Sequence, residues 1–378
     1  MNDTTFSKQE LARYARHFAL PDFGMDGQKK LKNSHVLVVG AGGLGCPVLL
    51  YLAAAGVGHI GIIDGDVVDD SNLQRQVLYT VSDVGKPKAV AARERLLAMN
   101  PHIDIQVFTQ HLTAENALNI ISKFDVIADG TDNFPTRYLV NDACVLAGKV
   151  NVYASIFRFE GQVSVFNLPQ KDGERGVNYR DIFPTPPPAG LIPDCAEGGV
   201  LGVLPGIIGS MQASEVIKVL TNIGEPLAGR LFLFDAQTFT AKSLKIKKNS
   251  HYVPIEKLID YDIFCGTKTA FTASDVSTIP KISISNFKKM QAQNVDFQLI
   301  DVREPYEYAV SNIGAILYPL SILSEKAAFL SKKMPIIVHC QSGARSAKAV
   351  SELQRLGFDN ALSLTGGIKA YLESGSEN

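Results

Sequence analysis

The sequence has no surplus of charge of either sign: 37 Lys and Arg stand against 38 Asp and Glu, a formal net charge of −1. Without a broad positive field the chain has no general means of holding nucleic acid, and a polyanionic partner would need a local patch. No apolar run approaches the ~20 residues that span a bilayer, so no membrane-spanning helix is expected. The opening residues, MNDTTFSKQELARYARHF, lack an apolar signal core, and a cytoplasmic location is expected. Five cysteines, odd in number and widely separated, do not make a disulfide framework, although single thiols can still be reactive. What the chain does have is an ordinary hydrophobic content of 46% and a length of 378 residues. That is too long for one typical core, so about two domains are expected.

The most informative stretch runs from His35 to Gln76. Val36–Val39 reads as a buried strand. Gly40, Gly42 and Gly45 follow at G-x-G-x-x-G spacing, with Gly43 between them, and an apolar helix extends to about Ala55. A second strand, Ile60–Ile63, ends at Asp64. This is a βαβ nucleotide-binding unit, in which glycines let backbone approach phosphates at a helix N-terminus and an acidic residue holds a ribose hydroxyl. Dehydrogenases share that pattern. The polar cluster Asp66, Asn72, Gln74, Arg75 and Gln76 separates the readings, because a triphosphate needs cationic contacts and a nicotinamide nucleotide does not.

Downstream, Gly85-Lys86-Pro87-Lys88 opens a helix to about Met99, with Pro87 suited to the first helical position. Lys88 then lies where the helix dipole disfavours a cation, a conflict that a bound phosphate would remove. Asp104–Phe108 and Phe124–Ala128 read as strands, and the second leads into Asp129-Gly130-Thr131-Asp132-Asn133. Asp132, at a strand's carboxyl end, is placed either to hold Mg²⁺ or to cap the helix from Phe134. Val150–Ser155 and Gln162–Asn167 read as strands. Residues 168–199 form a long Pro- and Gly-rich loop carrying Cys195, of the kind that is usually functional or disordered. Val200–Leu220 reads as an apolar helix, and Leu231–Asp235 with Phe239–Ile246 as a strand pair.

Composition shifts after residue 247, and a linker is placed at 267–280. Beyond it, Lys281–Ser285, Phe297–Val302 and Pro335–His339 read as strands. The last runs into Cys340-Gln341-Ser342-Gly343-Ala344-Arg345-Ser346 and a helix to about Leu356. A cysteine between a strand end and a helix N-terminus meets several N–H groups and a positive dipole end, a place that favours an anionic sulfur. Arg345 would add a fixed positive charge. Asp301 and Arg303 read as a structural ion pair.

The run DGDVVDDSNLQRQ after AGGLG resembles the MoeB/ThiF family, relatives of ubiquitin-activating enzymes, over roughly residues 7–266. IDVRE, CQSGARS and TGGIKAY resemble a single rhodanese module over roughly 281–373. The implied fold is α/β, a Rossmann-like adenylation domain (1–266), a linker (267–280) and a smaller α/β rhodanese domain (281–378). The implied activity is ATP-dependent adenylation of the C-terminal glycine of a ubiquitin-like sulfur carrier ending in Gly-Gly, MoaD-like or ThiS-like. Sulfur transfer from a Cys340 persulfide would follow, the persulfide being loaded by a cysteine desulfurase or another sulfur donor. The resemblance implies that Gly40, Gly42, Gly43 and Gly45 cradle the nucleotide with Asp66, that Asp64 holds the ribose, and that Asn72, Arg75 and Lys88 hold phosphates. It implies that Asp132 binds Mg²⁺. RYARH maps Arg16 onto an arginine that reaches the partner subunit's ATP, implying a homodimer. Cys195 becomes a candidate for a covalent bond to the carrier. Related phosphatases use Cys-x5-Arg; the shorter Cys-x4-Arg here suits a terminal sulfur.

One departure stands out. Many relatives carry two C-x-x-C pairs for a structural zinc, but this chain has Asn178 and Asp181 at the first place and no cysteine near Lys248–Pro254. Four thiolates are the usual structural zinc set, so no zinc is expected, and the scaffold there is expected to rely on packing alone. Competing readings are a nicotinamide oxidoreductase, a tRNA-modifying dehydratase, and a ubiquitin-like conjugation activator. None of them uses all of Arg75, Lys88, Asp132 and Cys340.

Overall fold

A computed structural model describes residues 5–187, 199–250, 253–266 and 279–375. The chain divides into two compact units, residues 1–270 and 271–378. All of the expected linker except Ile279 and Pro280 lies outside the described residues.

The first unit is built on an eight-stranded sheet: β1 (His35–Val39), β2 (His59–Ile63), β3 (Asp104–Phe108), β4 (Val126–Asp129), β5 (Val150–Phe157), β6 (Glu160–Phe166), β7 (Arg230–Asp235) and β8 (Thr240–Lys245). Its order is β3-β2-β1-β4-β5-β6-β7-β8. From β3 to β5 neighbours run parallel, and from β5 onward they alternate. The central strands are continuous apolar runs because helices cover both faces. Val36 to Val39 are all buried.

The connections set the position of the site. From β1 the chain steps outward to β2 and β3, then returns to the other side of β1 as β4. That reversal opens a crevice at the carboxyl ends of β1 and β4. The register aligns its rim, since Val39 pairs with both Ile63 and Asp129. The long helix Leu204–Thr221 packs against the helix Gly45–Ala55 and strands β4 to β6. Its buried Gln212 donates to the carbonyls of Asp129 and Val152, both at 2.8 Å.

Several boundaries differ from the sequence reading. The N-terminal segment forms two helices, Lys8–Arg13 and Ala15–Phe18, the first opened by a capping box of Ser7 and Glu10. The break falls at Tyr14, whose buried hydroxyl accepts from Asn100 Nδ2 at 2.9 Å. Burying this side chain outweighs helical continuity. Pro87 caps the next helix rather than starting it; Lys88 is the first helical residue. Residues 281–285 are not one strand, because after Lys281–Ile282 the Ser283 hydroxyl caps a helix, Ile284–Ala292.

The loop from 168 is partly ordered by local contacts, including the helix Tyr179–Ile182. The zinc-pair positions are also more than packed. Asp181 accepts from the Asn178 N–H at 2.7 Å and, through its other oxygen, from the Asn249 N–H at 2.8 Å, tying the two segments together. Alongside, Asp142 takes two hydrogen bonds from Arg180 (2.9 and 2.7 Å) and one from the Tyr261 hydroxyl (2.8 Å). The Arg180 guanidinium also sits over the rings of Tyr138 and Phe264. A polar clamp occupies the region, correcting the expectation of packing alone.

The second unit holds a five-stranded parallel sheet: β9 (Lys281–Ile282), β10 (Gln298–Asp301), β11 (Ile316–Leu317), β12 (Ile336–His339) and β13 (Ala361–Leu364). Its order is β11-β10-β12-β13-β9. β12, the strand that leads to Cys340, is central and buried.

Candidate active sites

The crevice over β1 and β4 is a cleft of about 270 Å³, lined by Gly40, Gly42, Gly43, Asp64, Asp66, Arg75, Gln76, Lys88, His111 and Asp132 among others. The glycines divide their work. Gly40 has φ +89°, where other residues are strained, and a Cβ on Gly45 would lie 1.9 Å from the Gly40 carbonyl oxygen. Gly45 therefore closes the turn against Gly40 and does not line the cleft. Gly42 and Gly43 present backbone to it, below the N-terminus of the helix Gly45–Ala55. That is the arrangement that receives phosphate.

Asp64, just past the end of β2, accepts N–H groups from Ala41 (2.8 Å) and Asp66 (2.8 Å). Burial pushes its carboxyl above the ordinary value, with those two N–H groups pulling the other way. Lys88 arrives because residues 66–68 pair with 85–88: Val68 N–H donates to Lys86, and Lys88 N–H to Asp66. The Lys88 ammonium is largely buried and lies 3.0 Å from the Asp66 carboxylate. The carboxylate thus resolves the dipole conflict that the sequence assigned to a phosphate. Tyr79 fastens the assembly, its hydroxyl donating to the carbonyls of Ala41 (2.8 Å) and Lys88 (3.3 Å).

Asp132 is exposed in the cleft. It is not the helix cap, since Asn133 takes that role by accepting from the Thr136 N–H at 2.9 Å. The loop beneath is rigidified by Asp129, which is fully buried and bonded to the Thr131 N–H (3.0 Å) and hydroxyl (2.6 Å). Burial pushes the Asp129 carboxyl up to about 6, against the pull of Arg137 and Thr131. The buried Arg137 donates to the Thr131 carbonyl at 3.3 Å.

Arg75 lines the cleft, with its guanidinium donating to the Ser71 carbonyl at 3.2 Å. Asn72 lies on a short turn, Asp70–Asn72, and is not among the lining residues; Gln76 takes a lining place instead. Arg16 is exposed on the helix Ala15–Phe18 and does not line its own chain's cleft. Cys195 lies outside the described residues. Gln110 and His111 are lining residues that the motifs passed over. The signal was available, because both follow β3, whose span was legible, and ligands collect at strand carboxyl ends.

In the second unit, Cys340 follows β12 and is buried beneath its loop. The Gly343 N–H points at its Sγ (3.1 Å), and Ser346 Oγ lies 3.7 Å from the sulfur. The TGGIKAY segment braces the loop, with Ile368 and Lys369 N–H donating to the carbonyls of Cys340 (2.8 Å) and Gln341 (3.2 Å). Arg345 does not offer an uncompensated charge. Glu307 grips it through two hydrogen bonds, both 2.7 Å. Burial raises the Glu307 carboxyl, but the Arg345 and Glu304 hydrogen bonds outweigh it and leave it below the ordinary value. Asp301 and Arg303 form a fully buried ion pair at 2.7 Å. Arg303 also donates to Gln341 Oε1 (3.2 Å), so the pair supports the loop.

Both units match known protein families. The ThiF family description matches residues 14–255, and the rhodanese-like domain description matches 283–374. Over 371 residues the chain is 48% identical to a probable adenylyltransferase/sulfurtransferase MoeZ of Mycobacterium tuberculosis, covering 97% of this chain and 94% of that one. It is 51% identical to the sulfur carrier protein adenylyltransferase of Thermus thermophilus, covering 70% of this chain and 99% of the relative. Among solved structures, E. coli MccB aligns with a TM-score of 0.57 at 22% identity, over 67% of this chain and 75% of that one, a likeness of fold.

Proposed function

The chain belongs to the ThiF family and carries a rhodanese-like domain, and on that premise we propose that it activates a ubiquitin-like sulfur carrier with ATP and delivers sulfur to it. The observation that carries the reading is the convergence of Arg75, Lys88, Asp64 and Asp132 on one cleft beside the Gly42–Gly43 backbone, with a cradled thiol in the same chain.

A carrier's C-terminal carboxylate is ionised near neutrality, with an ordinary value of about 3.5, and needs no general base. The requirement is positioning and neutralisation of phosphate charge. The backbone at Gly42 and Gly43 receives phosphate oxygens, Lys88 and Arg75 neutralise them, and Asp64 accepts from the ribose. Asn72 lies in the turn preceding Arg75, and its carbonyl accepts from the Arg75 backbone N–H at 3.1 Å. Arg16 of a second copy would complete the phosphate contacts in a homodimer. Asp132, free of capping duty, fits a role in holding Mg²⁺, which when bound would further neutralise phosphate charge. Attack of the carboxylate on the α-phosphate gives an acyl-adenylate and expels pyrophosphate.

In the second step the outer sulfur of a Cys340 persulfide attacks the activated carbonyl, and AMP leaves with the electron pair. Cys195 is the candidate thiol for opening the resulting acyl disulfide, releasing the thiocarboxylate and leaving a disulfide for a cellular reductant. Tethering donor and acceptor sites in one chain raises their effective concentration.

The test is ATP–pyrophosphate exchange with purified MoaD-like and ThiS-like carriers in turn, followed by intact mass. Exchange with a carrier, then a mass gain equal to replacing one oxygen by sulfur when a cysteine desulfurase and its substrate are supplied, supports the proposal. Folded protein that exchanges with neither carrier overturns it.

A further inference from the structure

We propose that His111 is the platform on which the purine of ATP stacks, and that Gly65 exists to seat it. The proposal rests on the adenylation reading of the cleft and adds to it the residue that reads the base.

The sheet order gives the direction. Phosphate-binding backbone follows β1, the ribose acceptor Asp64 follows β2, and the next strand outward is β3. A nucleotide laid across these ends carries its base beyond Asp64, toward the loop after β3. Asp64 N–H donates to the Phe108 carbonyl at 3.1 Å, so the two strand ends are in register. Gln110, His111 and Leu112 of that loop line the cleft. Asn116 holds the loop, donating to the His111 carbonyl (2.9 Å) and accepting from the Thr113 N–H (2.9 Å).

Among the described lining residues His111 is the only aromatic ring; there is no Phe or Tyr, and the chain contains no Trp. Its seat is specific. A Cβ built on Gly65 would lie 2.7, 2.8 and 2.8 Å from Cε1, Cδ2 and Cγ of the ring. Near-equal distances to atoms on different sides of a five-membered ring place that point over the ring face, not at its edge. The imidazole therefore lies flat on Gly65, and even a methyl group there would displace it. The ring is exposed where it lines the cleft. A flat ring held on one face and open on another side is a surface for a purine, and base–aromatic stacking contributes on the order of tenfold or more in affinity.

Calorimetric titration of the full-length protein with ATP and, separately, with inorganic tripolyphosphate tests this. In His111→Ala, ATP affinity should fall about tenfold while tripolyphosphate binding stays unchanged; His111→Phe should restore ATP binding. Gly65→Ala should weaken ATP in the wild-type background and add nothing in His111→Ala. Unchanged ATP affinity in His111→Ala, or an equal loss for both ligands, overturns the platform. Wild-type protein that binds neither ligand overturns the adenylation reading itself and the platform with it.

Discussion

A cation at the first position of a helix faces the positive end of the helix dipole, and Lys88 tolerates that place because Asp66 stands 3.0 Å away. Arg345 is compensated in the same manner by Glu307. The Glu307 carboxyl lies below its ordinary value, so its contribution to stability is present above about pH 4.5 and is lost as pH falls through the lowered folded-state value. Glu307→Gln should be less stable than wild type at pH 7, and the gap should shrink below pH 4.5. Urea unfolding across pH reads this, and a gap that stays constant with pH contradicts it. Thiols divide by surroundings too. Burial pushes Cys46 up to about 12 and Cys144 well above the ordinary thiol value, and only the thiolate reacts. Iodoacetamide at pH 8 should leave both unmodified in native protein; peptide mass mapping that finds either one labelled would contradict this. The sequence singled out Lys88, Asp66 and Arg345, but it did not pair Lys88 with Asp66, 22 residues away, and Glu307, 38 residues from Arg345, lies outside any motif.

At the scale of elements, the strands were the most legible part. Asp104–Phe108, a half-buried edge strand, agrees residue for residue with the sequence reading, and β1 and β2 differ by one residue each, the latter two because buried parallel strands are uninterrupted apolar runs. Short polar elements were not legible. The helix Tyr179–Ile182 arises from the Asn178–Asp181 capping box inside what reads as loop, and the clamp around it joins residues up to 119 apart. Asp142 is almost fully buried and forms an ion pair with Arg180 at 2.7 Å. Breaking such a pair from one side typically costs about 3–5 kcal/mol, so Asp142→Ala should lower stability by that order. Tyr261→Phe, which removes one hydrogen bond, should cost about 1 kcal/mol. A chelator should leave the unfolding midpoint unchanged, since hydrogen bonds and a side-chain ion pair hold this region together. A midpoint that falls in chelator would show a structural metal.

At the scale of the whole molecule, the two units have separate sheets and separate cores, and their chemistries should separate as well. Asp132→Ala should abolish ATP–pyrophosphate exchange while Cys340 still accepts sulfur, and Cys340→Ser should do the reverse. Loss of both activities together in a folded variant would sink the two-site account.

The sequence by itself determined the class of each half. Glycine spacing, apolar strand runs and a cysteine between strand and helix are local patterns, and local patterns depend only on neighbours in the chain. Tertiary structure alone decided which polar side chains share a cleft. It moved Gly45 out of the phosphate cradle, gave the cap to Asn133 and left Asp132 to the cleft, compensated Lys88 and Arg345, and set His111 flat on Gly65. The Gly45–Gly40 contact and the Asn133 cap are local backbone geometry, whereas the pairing of Lys88 and Arg345 and the seat of His111 turn on distances between residues remote in sequence, which only the packing of strands and loops establishes.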